Sequence, residues 1–452
     1  MNKAFLAPAL FLSTAILAGA ASAQSSATVE STAPDPQELR RSVQTLVDFG
    51  TRHTLSSATD PKRGIGAARA WAAQRLRTIS KDCGGCIAVE TIGETVTGDR
   101  APDGVRVEDV LGIQRGTGDP NRVVIVQGHI DSRVSDVMNI TDDAPGANDD
   151  ASGVALVLEA ARLLSKEKFD GTIVYAALSG EEQGLYGAEI LAKTAEERGW
   201  TVSAVLNNDV VGNSTGIGGQ HVADKVRVFS EGIRAAADEQ GIALQRAIGG
   251  EDDSPSRSLA KAIERVSTAA PRRLEVLAIR RPDRFRRGGD HIPFLKRGYP
   301  AVRFSEVAEH YDYQHQDLRT ENGREYGDTI DKMDFDYLAR VTALNMDVIR
   351  ELASAPAAPA TVEIEGAVSA DTTVNWTPVK GAAGYRVHWR PANEMAWAEA
   401  IDLPAGQTET VLKGVIIDNN FFGVSALSDS GAESVVTFAG MPGGSGANGA
   451  AE

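Results

Sequence analysis

The stretch VVIVQGHIDS, residues 123–132, is apolar for four residues and then sets His129 and Asp131 beyond a glycine. A short apolar run that stops at a glycine reads as a buried strand. If it ends near Gly128, both polar side chains stand at its carboxyl end, where open α/β sheets bind ligands. The H-x-D spacing has a mechanical meaning: His129 can ligate a metal while Asp131 holds its other ring nitrogen.

Similar runs recur on either side. RVVIVQ (122–127), TIVYAA (172–177) and SAVLNN (203–208) alternate with helix-periodic segments such as QELRRSVQTLVDF and GAARAWAAQRLRTI. This alternation predicts an α/β domain over 35–353, with a mostly parallel or mixed central sheet flanked by helices on both faces. SAPAAPA, 354–360, reads as a linker. Beyond it, short alternating runs between glycine and polar turns predict a small all-β sandwich over 361–438, similar to a fibronectin type III module, then a flexible tail over 439–452.

Residues 1–23 carry one lysine, an apolar centre and a small-residue end, Ala21-Ser22-Ala23, the pattern of a cleaved signal peptide. Residues 24–34 read as a disordered leader. The expectation is a secreted or periplasmic protein with no membrane span. The 452-residue chain carries a net charge of −16, which disfavours nucleic acid as a partner. The local exception is RRLEVLAIRRPDRFRR, 272–287, which holds seven arginines. Cys83 and Cys86 are the chain's two cysteines, and an exported chain without a second pair favours a local disulfide between them.

Four more segments carry candidate chemistry. In PGANDDASG (145–153) the following apolar periodicity starts a helix just after Asp149 and Asp150; either acid can cap it or face an ion. LSGEEQGLYG (178–187) puts Glu181 and Glu182 where an apolar strand meets a glycine-rich turn. Asp209 closes another apolar strand. GGDHIPFLKRGYPAVRFSEVAEHYDYQHQD (288–317) brings His291, His310 and His315.

In this order, GHIDS, PGANDDASG, GEEQGLYG, NND, GGDHIPF with GYPA, and a late histidine, the chain resembles metallopeptidase family 28 over about residues 36–353. These are two-zinc exopeptidases typified by bacterial leucyl aminopeptidases. The resemblance implies that His129, Asp149 and Asp209 hold one Zn2+, that Asp149, Glu182 and His315 hold another, and that Asp149 bridges them. It implies Glu181 as general base and Asp131 as the partner of His129. Asp290 and His291 match a position beside the substrate pocket, with Gly289 where serine is usual. Exchange of roles between Glu181 and Glu182 is open to residue reading alone. In HYDYQHQDLRT the last ligand falls to His315 rather than His310, because QHQD is similar to a variant in the family.

The implied reaction is removal of N-terminal residues from peptides by a metal-bridged hydroxide, with glutamate taking the proton. Zinc suits imidazole and carboxylate donors. Arg287, like its neighbours Arg284 and Arg286, is a candidate contact for a substrate carboxylate, which would favour very short peptides or carboxypeptidase action. A dipeptidase, a glutaminyl cyclase-like enzyme and a non-catalytic binding protein are the alternatives. The sandwich is a candidate contact for a polymer or another protein.

Overall fold

The structure is a computed structural model that describes Met1, residues 33–270 and residues 274–440. The expected signal peptide beyond Met1, most of the leader and the tail after Gly440 lie outside the described residues. Asp35 caps α1 (Pro36–Val47) by accepting the Gln37 amide, and proline supplies the first helical position. Next come α2 (Ile65–Asp82), a disulfide joining Cys83 to Cys86, and a long antiparallel hairpin of β1 (Ile87–Gly98) and β2 (Ala101–Gln114).

The chain continues through β3 (Asp119–His129), α3 (Ala151–Leu164), β4 (Gly171–Leu178), α4 (Glu181–Gly184), α5 (Tyr186–Glu197) and β5 (Thr201–Asn208). It then runs through β6 (Lys225–Phe229), α6 (Glu239–Ala247), α7 (Pro255–Ala269), β7 (Glu275–Ile279), α8 (Ile292–Leu295) and β8 (Ala301–Ser305). A small hairpin of β9 (Arg319–Glu321) and β10 (Arg324–Tyr326) precedes α9 (Phe335–Ser354).

Eight strands form one mixed sheet in the order β1-β2-β4-β3-β5-β8-β6-β7. Its centre, β4-β3-β5-β8, is parallel. The continuous apolar run of β3 has a direct cause: Val124 and Val126 enter the core shared with α1, α2, α3, α7 and α9, while Val123 and Ile125 enter the opposite core with α5 and α8. A strand covered on both faces reads as a near-continuous apolar run. The carboxyl ends of β3, β4, β5 and β8 therefore open at one edge of the sheet, and the loops that follow them carry the candidate site.

The C-terminal region contains β11 (Val362–Glu365), β12 (Thr372–Trp376), β13 (Gly384–Pro391), β14 (Glu399–Pro404), β15 (Glu409–Leu412), β16 (Asn420–Leu427) and β17 (Thr437–Phe438). Two antiparallel sheets, β11-β12-β15 and β14-β13-β16-β17, close over Val374, Trp376, Tyr385, Val387, Phe422 and Val424. The preceding segment is tied down: α9 runs to Ser354, Ala355 is buried, and Thr437 Oγ1 donates to the Pro359 carbonyl at 2.6 Å. Arg390 of β13, fully buried, pairs with buried Asp253 just before α7, and Lys261 Nζ reaches the same carboxylate at 2.5 Å. Among the described residues no helix is long and apolar enough to cross a membrane.

Candidate metal centre

His129 is the last residue of β3 and is almost completely buried. Its Nδ1 donates to the Asp131 carbonyl at 3.1 Å, with Asp131 Oδ1 at 3.7 Å, so Nε2 is left as the basic nitrogen and faces the cleft. Asp131 is fixed in turn by Thr54 Oγ1 at 2.9 Å and by the amides of Glu182 and Glu181 at 3.1 and 3.3 Å. Asp131 thus orients the histidine through its backbone carbonyl and pins the turn bearing the paired glutamates through its carboxylate. Arg52, wholly buried, donates to the carbonyls of Ile130, Pro145 and Gly146 and shapes the loop between them.

The N-terminus of α3 separates its two aspartates. Asp150 is the cap: its Oδ1 accepts the Gly153 amide at 2.9 Å and its Oδ2 the His129 amide at 3.0 Å. Asp149, joined to it by a cis peptide, turns into the cleft. There Asp149 Oδ1 lies 3.2 Å from His129 Nε2 and Oδ2 lies 2.9 Å from His315 Nε2, so one carboxylate spans two imidazoles. Asp328 takes the amides of Asn148 and Asp149 on its two oxygens and holds this segment.

Glu181 and Glu182 open the one-turn α4 after Gly180, which sits at φ +78, a left-handed turn suited to glycine. Their side chains diverge. Glu182 Oε1 lies 3.0 Å from His315 Nε2, whereas Glu181 groups with His129 and Asp209. Among the described residues two sets of donors can hold a metal ion: His129, Glu181 and Asp209, and Asp149, Glu182 and His315, each with donor atoms within 4.8 Å of one another. Asp209 follows β5 and is gripped by Arg303 Nη2 at 2.7 Å, an arginine with no solvent exposure in β8.

The donors fit a cation in chemistry and in their unmet bonds. His129 Nε2 and Glu182 Oε1 are buried without an aligned hydrogen-bond partner. Nitrogen and carboxylate donors in this mixture suit zinc. His315 sets one condition: its Nδ1 is 2.6 Å from Arg133 Nη2. For Nε2 to take a metal, Nδ1 must carry the proton, so Arg133 has to yield that contact and keep its 2.8 Å pairing with Glu182 Oε2.

The charges split the paired glutamates. Burial, then the neighbouring charges of Glu182, Asp209 and Asp149, push the Glu181 carboxyl up to about 8 against the pull of His129. Burial would also raise Glu182, but His315 and Arg133 outweigh it and hold the carboxyl at about 2. Burial opposes charge on His315 as well, yet Glu182 and Asp149 raise its imidazole to about 10.

The structure brings His129, Asp131, Asp149, Glu181, Glu182, Asp209 and His315 together. His310 stands outside the cluster, stacked on Tyr313 with ring centroids 3.8 Å apart. Arg287 lines the cleft; Asp290 and His291 do not. His291 is fully buried and donates Nε2 to the Pro282 carbonyl at 2.5 Å. Asp290 is buried too, and that burial together with the charge of Glu181 raises its carboxyl well above the usual range.

Reading the sequence missed Arg133, Arg100, Gln314 and Asp328, which carry no local motif. Arg303 left a signal: a charge inside the apolar run AVRFS demands a buried partner.

Residues 109–349 match the model of Peptidase family M28. The chain belongs to peptidase family M28. The M28 match contains every residue of the cluster. A probable zinc metalloprotease of Leptosphaeria maculans is 44% identical, over 84% of this chain and 89% of that one. A probable zinc metalloprotease of Pyrenophora tritici-repentis is 41% identical, over 89% of this chain and 84% of that one. The crystal structure of LapB from Legionella pneumophila is 19% identical with a TM-score of 0.48, covering 70% of this chain and 71% of that one, too distant to bear on activity.

Proposed function

We propose that this M28 peptidase is a two-zinc aminopeptidase, and the observation that carries the reading is the Asp149 carboxylate set between His129 and His315. In this reading His129, Asp149 and Asp209 would hold one ion and Asp149, Glu182 and His315 the other, with Asp149 shared between the two sets. The zinc assignment is supported by the mixed donors and by the zinc metalloproteases the chain resembles. Bound zinc supplies Lewis acidity and lowers the pKa of water to about 7.

The chain's own residues divide the remaining work. Glu181, grouped with His129 and Asp209 but not engaged by His315 or Arg133, takes the proton from the attacking water and hands it to the leaving amine. Asp131 keeps His129 in the tautomer that leaves Nε2 free.

The N-terminal pattern supports export to the periplasm or medium, and localisation of tagged full-length protein tests it. The three-strand and four-strand sheets support a fibronectin type III-like reading of the C-terminal module.

Mass spectrometry of a peptide library, with matched N-acetylated peptides and a Glu181→Ala control, tests the activity. Stepwise loss from free N-termini alone, absent in the variant, is the expected result. Elemental analysis should give two zinc ions per chain, and His315→Ala should lose one. Cleavage of acetylated peptides from the other end would replace the aminopeptidase by a carboxypeptidase.

A further inference from the structure

Resting on the peptidase reading above, we infer that the cleft selects substrates bearing a carboxylate close to the scissile bond, and that Arg287 binds this carboxylate. The cleft encloses about 570 Å³. Among the described residues, apart from the four cluster carboxylates, its lining holds one acid, Asp99, against four arginines: Arg100, Arg133, Arg284 and Arg287. Leu185 and the Tyr186 ring supply its larger apolar surface. A pocket built for a leucine-like side chain would be lined mainly by hydrocarbon. This one is lined mainly by charge.

Two of the arginines are already committed. Arg100, in the turn of the β1–β2 hairpin, donates to the Glu182 carbonyl at 2.7 Å, and Arg133 holds Glu182 and His315. Arg284 and Arg287 come from the opposite rim, the loop between β7 and α8. There, one buried acid serves three guanidiniums: Glu309 lies 2.6 Å from Arg227, 3.3 Å from Arg284 and 3.2 Å from Arg287. Asp283 stands 3.6 Å from Arg284 but also serves Arg303 at 3.2 Å, so positive charge remains in excess.

Arg287 is the more accessible of the two, with its side chain 35% exposed against 11% for Arg284. Glu309 and Gln314 take two of its five N–H groups. Gln314 Nε2 in turn donates to Asp149 Oδ2 at 3.2 Å. The open donors of Arg287 are therefore one glutamine removed from the carboxylate between the two donor sets. A planar guanidinium held on one side presents its other donors as a fork that a carboxylate fits. Two sources supply that carboxylate: the free C-terminus of a dipeptide, or an Asp or Glu side chain next to the cleaved bond.

The test is kcat/KM of the zinc-loaded full chain on four matched substrates: Leu-Ala, Leu-Ala amide, Leu-Glu amide and Glu-Ala amide. At least one carboxylate-bearing substrate is expected to exceed Leu-Ala amide by about tenfold or more. Preference for Leu-Ala assigns the C-terminus; preference for either glutamate amide assigns the side chain. In Arg287→Met, at matched zinc content, the ratio should fall toward one, and Arg287→Lys should retain part of it. Equal cleavage of all four by the unaltered protein overturns the inference and leaves the peptidase reading standing. An undiminished ratio in Arg287→Met overturns the role of Arg287. Cleavage of none of the four sinks the peptidase reading, and the inference with it.

Discussion

Asp150 Oδ2 accepts the backbone N–H of His129 at 3.0 Å, so the residue that caps α3 also fixes the end of β3. Both of its oxygens are acceptors, the other taking the Gly153 amide. Asparagine normally replaces aspartate well at a cap. Here its NH2 would meet one N–H donor whichever way it turned. Asp150→Asn is therefore expected to destabilise about as much as Asp150→Ala, by roughly 1–3 kcal/mol, and to weaken zinc binding through His129. Urea unfolding and a zinc titration of both variants check this; an Asn variant matching the parent would refute it.

Arg303 has no solvent exposure and binds Asp209 at 2.7 Å and Asp283 at 3.2 Å. Arg303→Met leaves buried Asp209 without its paired arginine and Asp283 with Arg284 alone, 3.6 Å away. Removing one partner of a buried ion pair costs about 3–5 kcal/mol, and that is the expected loss in denaturant unfolding. Bound zinc should offset part of it, because the ion neutralises Asp209. The variant's gain in melting temperature on adding zinc should then exceed the parent's.

Asp109 of β2 is completely buried, with Oδ1 accepting the Ser179 amide at 2.9 Å. Burial raises its carboxyl from 3.8 to about 8. Above pH 4 the unfolded chain loses this proton while the folded chain keeps it. Stability therefore falls as pH rises from about 4 to about 8, at no more than about 1.4 kcal/mol per pH unit from this group. Asp109→Asn, which cannot ionise, should gain on the parent between pH 5 and pH 8. Melting temperatures of both proteins at the two pH values decide it, and parallel pH profiles would exclude the assignment.

Asp253 anchors the sandwich. It receives buried Arg390 from β13 and Lys261 from α7, and both cations also lie against the Trp397 ring, at 5.3 and 5.2 Å from its centroid. Asp253→Ala leaves two cations without their acid, the buried Arg390 and the mostly buried Lys261. A loss of about 3–5 kcal/mol is expected, with the C-terminal sheets loosening first. Hydrogen exchange should show β13 losing protection ahead of β3; uniform protection would rule out this coupling.

Much of the α/β core could be read from the sequence because local pattern and global burial coincide there. Four successive apolar residues in β3 report a strand covered on both faces, and the periodicity after Asp150 reports α3. The β1–β2 hairpin escaped notice because β1 is largely solvent-facing, so no apolar run marks it. The cluster residues were found as strand-end polar groups in a characteristic order. Their supports, Arg133, Asp328 and Gln314, leave no such trace, because each acts on a residue far away along the chain.

By itself, the sequence determined the central strands β3, β4 and β5, the helices α1, α2 and α3, and which polar residues end those strands, since hydrophobic periodicity is a local property of the chain. The resemblance implies Asp149 and His315 as ligands; the tertiary structure decided that Asp150 caps α3 while Asp149 faces the cleft, that His310 stacks on Tyr313, and that His291 is buried against the Pro282 carbonyl. Adjacent side chains share a sequence context but point in different directions. Which one meets a ligand is set by backbone geometry and by partners brought in from 20 to 200 residues away, such as Asp328 beneath Asp149 and Arg133 beside His315.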